Sequence, residues 1–85
     1  MLLKQIESKI KKSLPKCKVE VVDTSSDHIG HDAGGAHILV NITDESFKGV
    51  SLALQHKKIY EILDEELKDG TIHALRIKTR VPKDG

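Results

Sequence analysis

The apolar residues of this chain change their period along its length, and that change limits what it can fold into. Leu3, Ile6, Ile10 and Leu14 recur every three or four residues, the spacing that lines one face of an α-helix. Pro15 cannot continue the run, so a helix is predicted over residues 2–14. Val19-Glu20-Val21-Val22-Asp23 is short and rich in β-branched side chains, the mark of a strand. In His37-Ile38-Leu39-Val40-Asn41-Ile42 the period is two, with Ile38, Val40 and Ile42 on the prospective core face. Thr43-Asp44-Glu45-Ser46 opens a single helical turn that Gly49 ends. Ser51 is a helix N-cap, and Leu52, His56, Ile59, Leu63 and Leu67 set out one apolar stripe as far as Gly70. Thr71–Val81 alternates again. Leu75, Ile77, Thr79 and Val81 share a face with His73, and Ala74, Arg76, Lys78 and Arg80 share the other.

The predicted order is α-β-β-α-α-β, an α+β chain whose helices cover one face of a three-stranded mixed sheet. Its 85 residues are one domain's worth, with residues 81–85 as a short tail. Phe47 and Tyr60 are the only aromatic residues beyond the histidines, so the core is aliphatic. A net charge of +1, with charged residues at 32%, excludes a protein that coats polyanions by bulk charge. The charge is nevertheless uneven: both ends are basic and the middle is acidic. The one cysteine, Cys17, cannot close an internal disulfide. Met1–Leu3 runs straight into Lys4 and Gln5, and no apolar run reaches the roughly 18 residues a membrane span needs. A cytoplasmic protein that does not engage membranes is expected.

Ser25 to Ala36 joins the first two strands and contains Gly30, Gly34 and Gly35. A connection of this length in a small domain is usually either functional or disordered. Five histidines fall in 85 residues: His28 and His31 in that connection, His37 and His73 at strand starts, and His56 in the helical stripe. Imidazole is the commonest protein metal ligand. His56 reads as a core residue, and His37 fits strand packing or a site equally well. No set of four ligands has the spacing of a structural zinc site. No nucleophile motif is present either, so the chain is not expected to be an enzyme.

Several stretches together resemble the BolA family. They are Phe47-Lys48-Gly49-Val50-Ser51-Leu52, Gln55-His56-Lys57-Lys58-Ile59-Tyr60, Leu63-Asp64-Glu65-Glu66-Leu67 and Ile72-His73-Ala74-Leu75, with Val19-Glu20-Val21 and Ala36-His37-Ile38 before them. Gln55 and Lys57 stand where that family usually has Arg. The resemblance implies a class II KH-like fold and a monothiol glutaredoxin as partner. The chain alone is then a monomer without cofactor. Its heterodimer with the glutaredoxin shares a [2Fe–2S] cluster, to which the partner brings a cysteine and glutathione. The resemblance assigns His73 as one cluster ligand and a histidine of the first inter-strand connection as another: His28, with His31 as the fallback. The chemistry is compatible, because such clusters need four ligands and a chain with one thiol needs another molecule to complete them. Some members of the family act on transcription. The alternative expectation is therefore a nucleic-acid-binding transcriptional regulator, with DNA as its partner, that uses the KH-like or helix-turn-helix surface and the basic face of Arg76, Lys78 and Arg80.

Overall fold

A computed structural model describes residues 2–24 and 35–83. The inter-strand connection at residues 25–34, with His28 and His31, lies outside the described residues. Helix α1 spans Leu2–Ser13, with Ile6 and Ile10 buried and Lys11 and Lys12 in its last turn, where cations favour the carbonyl end of the helix dipole. It stops where Leu14 precedes Pro15, because proline disfavours helical geometry in the residue before it.

Strands β1 (Lys18–Asp23), β2 (Ala36–Thr43) and β3 (Ile72–Arg80) form a sheet in the order β1-β2-β3. β1 pairs antiparallel with β2, from Lys18 opposite Thr43 to Asp23 opposite Ile38. β2 pairs parallel with β3, which the crossover through the intervening helices permits. The mixed sheet expected from the sequence is thus observed.

Between β2 and β3 the chain forms a one-turn 3-10 helix (Glu45–Phe47), then α2 (Leu52–Ile62) and α3 (Asp64–Lys68). Asp44 caps the first, its carboxylate accepting from the Ser46 amide at 3.1 Å. The Ser51 hydroxyl caps α2 by accepting from the Leu54 amide at 3.3 Å. The single helix expected over the second stripe is interrupted at Leu63, whose φ of −101° and ψ of 19° leave helical geometry. This residue ends α2 and starts α3, and its side chain remains fully buried. Leu52 also departs from the stripe: it is 61% exposed because it sits in the first turn, beyond the packed part of the helix.

The core lies between the helices and one face of the sheet. Ile6, Ile10, Ile38, Val40, Ile42, Ile59, Leu63 and Ile72 are its largest fully buried side chains. Each contributes about 1.5–3 kcal/mol through removal from water. Val19, Val21, Leu75 and Ile77 pack against this cluster from the same sheet face. The opposite face follows from the register. Val22, Leu39 and Arg76 form one row, Glu20, Asn41 and Lys78 the next, and Lys18, Thr43 and Arg80 the last.

Candidate metal-ligating edge

Alternation along β3 breaks at its start. Ala36 pairs with Ile72, but His37 pairs with Ala74, which leaves His73 as an extra residue in a bulge. Bulges re-aim side chains and end regular pairing. Here the bulge returns Ile72 to the core, at 2% exposed, and leaves His73 exposed. The expectation that His73 shares the face of Leu75, Ile77 and Thr79 is therefore corrected. Uninterrupted alternation would bury an imidazole beneath the helices, and one inserted residue turns it out.

The backbone around this bulge is held on several sides. The Ala36 amide donates to the Thr71 carbonyl at 2.9 Å, and the Thr24 amide to the His37 carbonyl at 2.8 Å. The Asp69 carboxylate accepts from the Thr71 amide at 2.8 Å. Hydrogen bonding from Thr71, first from its side chain and then from its backbone, holds the Asp69 carboxyl below the usual carboxylate range. Gly35 has a φ of +99°, and an added Cβ there would stand 2.5 Å from the Gly70 carbonyl oxygen and 2.9 Å from the His73 Cβ. The chain thus enters β2 flush against the base of His73.

β2 and β3 are parallel neighbours, so their first residues meet. The rings of His37 and His73 lie 5.2 Å apart, centroid to centroid, and are tilted by 39°. The sequence carries the signal for this pair, since each histidine opens a strand. Only the parallel pairing turns that similarity into proximity. His56 is half-buried on α2. Among the described residues, no three of His, Cys, Asp and Glu are grouped so that they could hold a metal ion. His28 and His31 lie outside the described residues, so their relation to His73 is not part of this geometry.

Cys17 offers no thiolate here. It is 3% exposed, and burial, followed by the negative charge of Asp44, pushes its thiol above the ordinary range against a smaller effect of Lys11. It also lies at the wrong end. Cys17 adjoins Lys18, which pairs with Thr43 at the end of β2. The histidines mark the beginning of the same eight-residue strand, about 20 Å away at about 3.3 Å per residue. A cleft of about 620 Å³ lined by Leu14, Pro15, Asp44 and Pro82 is at the Cys17 end too, remote from the imidazoles. Among the described residues, the donors at the His73 edge are therefore imidazoles and not thiolates.

Arg76, Lys78 and Arg80 are exposed and lie on the helix-free face of the sheet, together with Lys18 and one carboxylate, Glu20. The basic face expected from the sequence is present. No helix among the described residues is long and apolar enough to cross a membrane.

Residues 10–84 match the family model for BolA-like protein. SufE-like protein 1 (chloroplastic/mitochondrial) of Arabidopsis thaliana is 37% identical over 86 residues, which cover 92% of this chain and 23% of that protein. The chain thus spans about a quarter of that relative's length. The solved BolA domain of SufE1 from Arabidopsis thaliana superposes with a TM-score of 0.81 at 39% identity, covering 94% of this chain and 91% of that domain. A protein named DNA-binding transcriptional regulator BolA, from Haemophilus influenzae, is 29% identical over 93% of this chain and 76% of its own length. With most of its length matched by the family model and its fold shared with the solved domain, the chain belongs to the BolA-like protein family.

Proposed function

We propose that this chain is a non-enzymatic, cytoplasmic partner of a monothiol glutaredoxin and shares or relays a [2Fe–2S] cluster with it. The observation that carries the reading is the contrast between its potential donors. His73 is exposed on a backbone fixed by the bulge, whereas Cys17 is buried at the far end of the sheet. The chain has imidazoles to lend and no accessible thiol. The cluster is cargo that the partner brings, with the glutaredoxin cysteine and glutathione on one iron. His73 takes a place on the other, and a second imidazole of this chain completes it, for which the family resemblance points to His28, with His31 behind it. Imidazole in place of thiolate removes negative charge and raises the reduction potential, as in Rieske centres. Only neutral imidazole coordinates, so acidification releases the cluster.

Mixing the purified chain with cluster-loaded glutaredoxin tests the reading by absorption and EPR spectroscopy. A new charge-transfer spectrum is expected with the wild type and is lost in the double variant His73→Ala, His28→Ala. An unchanged spectrum in that double variant rejects it.

A second reading, a DNA-binding regulator, has a specific observation behind it: three exposed cations in register on the free sheet face. The printed name of the Haemophilus influenzae relative points the same way. Binding through Arg76, Lys78 and Arg80 alone gives a slope of about −3 in log affinity against log salt, because each neutralised phosphate adds about −0.9. The triple alanine variant removes that slope. Absence of duplex binding at low salt disposes of this second reading.

A further inference from the structure

We infer that the outer edge of β3 is a docking site for an extended acidic segment of a partner protein, which adds to the sheet as a fourth strand. The inference uses neither the histidines nor the cluster-sharing reading, so it stands or falls apart from them.

β3 lies at the end of the order β1-β2-β3 and has a neighbour on one side only. The ladder fixes which backbone groups it turns outward. The Arg80 carbonyl accepts from the Asp44 amide at the end of β2. In a parallel pair a residue turns both its N–H and its C=O to the same neighbour, and the next residue turns both away. Counting back from Arg80, Lys78 and Arg76 face β2, while Thr79, Ile77 and Leu75 face outward. Among the described residues, no backbone bond from a turn, loop or cap reaches the amides or carbonyls of these three. A strand edge left open in this way is a template for another chain.

The side chains select the occupant. Arg76, Lys78 and Arg80 are exposed on the helix-free face at every second residue, about 6.6 Å apart. Leu75, Ile77 and Thr79 are half-buried on the helix side, and the Thr79 hydroxyl is tied there to Gln55 of α2. A strand added antiparallel to β3 sets its hydrogen-bonded residues opposite Leu75, Ile77 and Thr79. Its other residues stand opposite the three cations at non-hydrogen-bonded sites, where Cα atoms approach to about 4.5 Å and side chains lie closest. Asp or Glu at those sites answers each cation, and apolar residues between them extend the row of Leu75 and Ile77.

The alternatives fit less well. Directly opposed residues share a sheet face, so a second copy pairing β3 with β3 sets cation against cation. The other outer strand, β1, offers no field of one sign, because Lys18 and Glu20 alternate with each other on the helix-free face. Nucleic acid would meet the cations of β3 but leave its open backbone edge unpaired, which favours a polypeptide.

A capped peptide of alternating Glu and Val, as long as β3, is titrated into the wild-type chain at low salt and followed by amide NMR. The amides of Leu75, Ile77 and Thr79 are expected to shift and to exchange about tenfold or more slowly at saturation. Those of Arg76 and Lys78, which already face β2, are expected to keep their exchange rates. The same peptide N-methylated at its Val residues keeps the charges and loses the ladder amides; its affinity is expected to fall about tenfold or more. A peptide of alternating Lys and Val is expected not to bind, and the triple variant Arg76→Ala, Lys78→Ala, Arg80→Ala is expected to lose the Glu-Val peptide. Equal affinity for the methylated and unmethylated peptides means attraction by charge alone and overturns strand addition. Binding of duplex DNA without binding of the peptide gives the cations to nucleic acid and overturns it as well. Binding of neither leaves the cations as a guard against edge pairing, which also overturns it. No glutaredoxin or metal enters these measurements, so cluster sharing is untouched by their outcome.

Discussion

Replacing Gly35 by Ala probes the packing that sets His73 in place, and the structure supplies its own controls. Gly35, Gly49 and Gly70 all have positive φ, at +99°, +76° and +84°. Alanine in such a conformation costs about 1–2 kcal/mol because Cβ crowds its own backbone. At Gly49 and Gly70 an added Cβ meets nothing within 4 Å, so that strain is the whole expected cost. At Gly35 the same Cβ falls 2.5 Å from the Gly70 oxygen, 3.3 Å from the His73 nitrogen and 2.9 Å from the His73 Cβ. Two of these are backbone atoms and the third is tied to backbone, so no flexible side-chain end can move aside. Overpacking of this kind adds about 1–3 kcal/mol. Gly35→Ala should therefore lose about 2–5 kcal/mol, against about 1–2 for Gly49→Ala. Urea unfolding followed by circular dichroism at 222 nm measures both, with m-values checked for equality. The His73 imidazole signals should shift in Gly35→Ala and stay in place in Gly49→Ala. Equal losses in the two variants, with His73 undisturbed, would refute the claim that Gly35 packs against the bulge.

Other consequences concern the core and its links. Ile59→Ala should cost about 2–5 kcal/mol, since Ile59 is 0% exposed in the centre of the cluster, whereas Leu52→Ala should stay within about 0.5 kcal/mol; chemical denaturation compares them. The Gln55 amide donates to the Val50 carbonyl at 2.7 Å and to the Phe47 carbonyl at 3.3 Å, and its oxygen accepts from the Thr79 hydroxyl. Gln55→Ala, which unties the 3-10 turn from α2 and β3, should lose about 1–3 kcal/mol in the same assay. The Cys17 thiol is raised in the folded state by burial and then by Asp44, so its contribution to stability is complete below the unfolded thiol's value of about 8.5 and is lost as pH rises from there through the folded value. Cys17→Ser should abolish that alkaline slope, and in the wild type a thiol reagent should react at pH 8 only as fast as the chain opens.

Much of the architecture is a local property of the chain. The three-to-four spacing of Leu3, Ile6, Ile10 and Leu14, the period of two at Ile38, Val40 and Ile42, and the capping residues Asp44 and Ser51 each act through neighbours a few residues away. For that reason the element order, the core face of β2 and the basic row at Arg76, Lys78 and Arg80 are legible in the sequence itself. Periodicity was less reliable where packing overrules it. The stripe from Leu52 to Leu67 looks continuous, but Leu63 is buried while ending one helix and starting another, and Leu52 is left exposed in the first turn of α2. The direction of His73 was also beyond periodicity, because one inserted residue reverses a strand's two faces and only the pairing with β2 reveals the insertion. The tertiary structure alone decided that His37 and His73 are neighbours. Their 35 intervening residues carry no local interaction that would join them; a parallel ladder, closed by the burial of helices against the far face of the sheet, brings the two strand starts together.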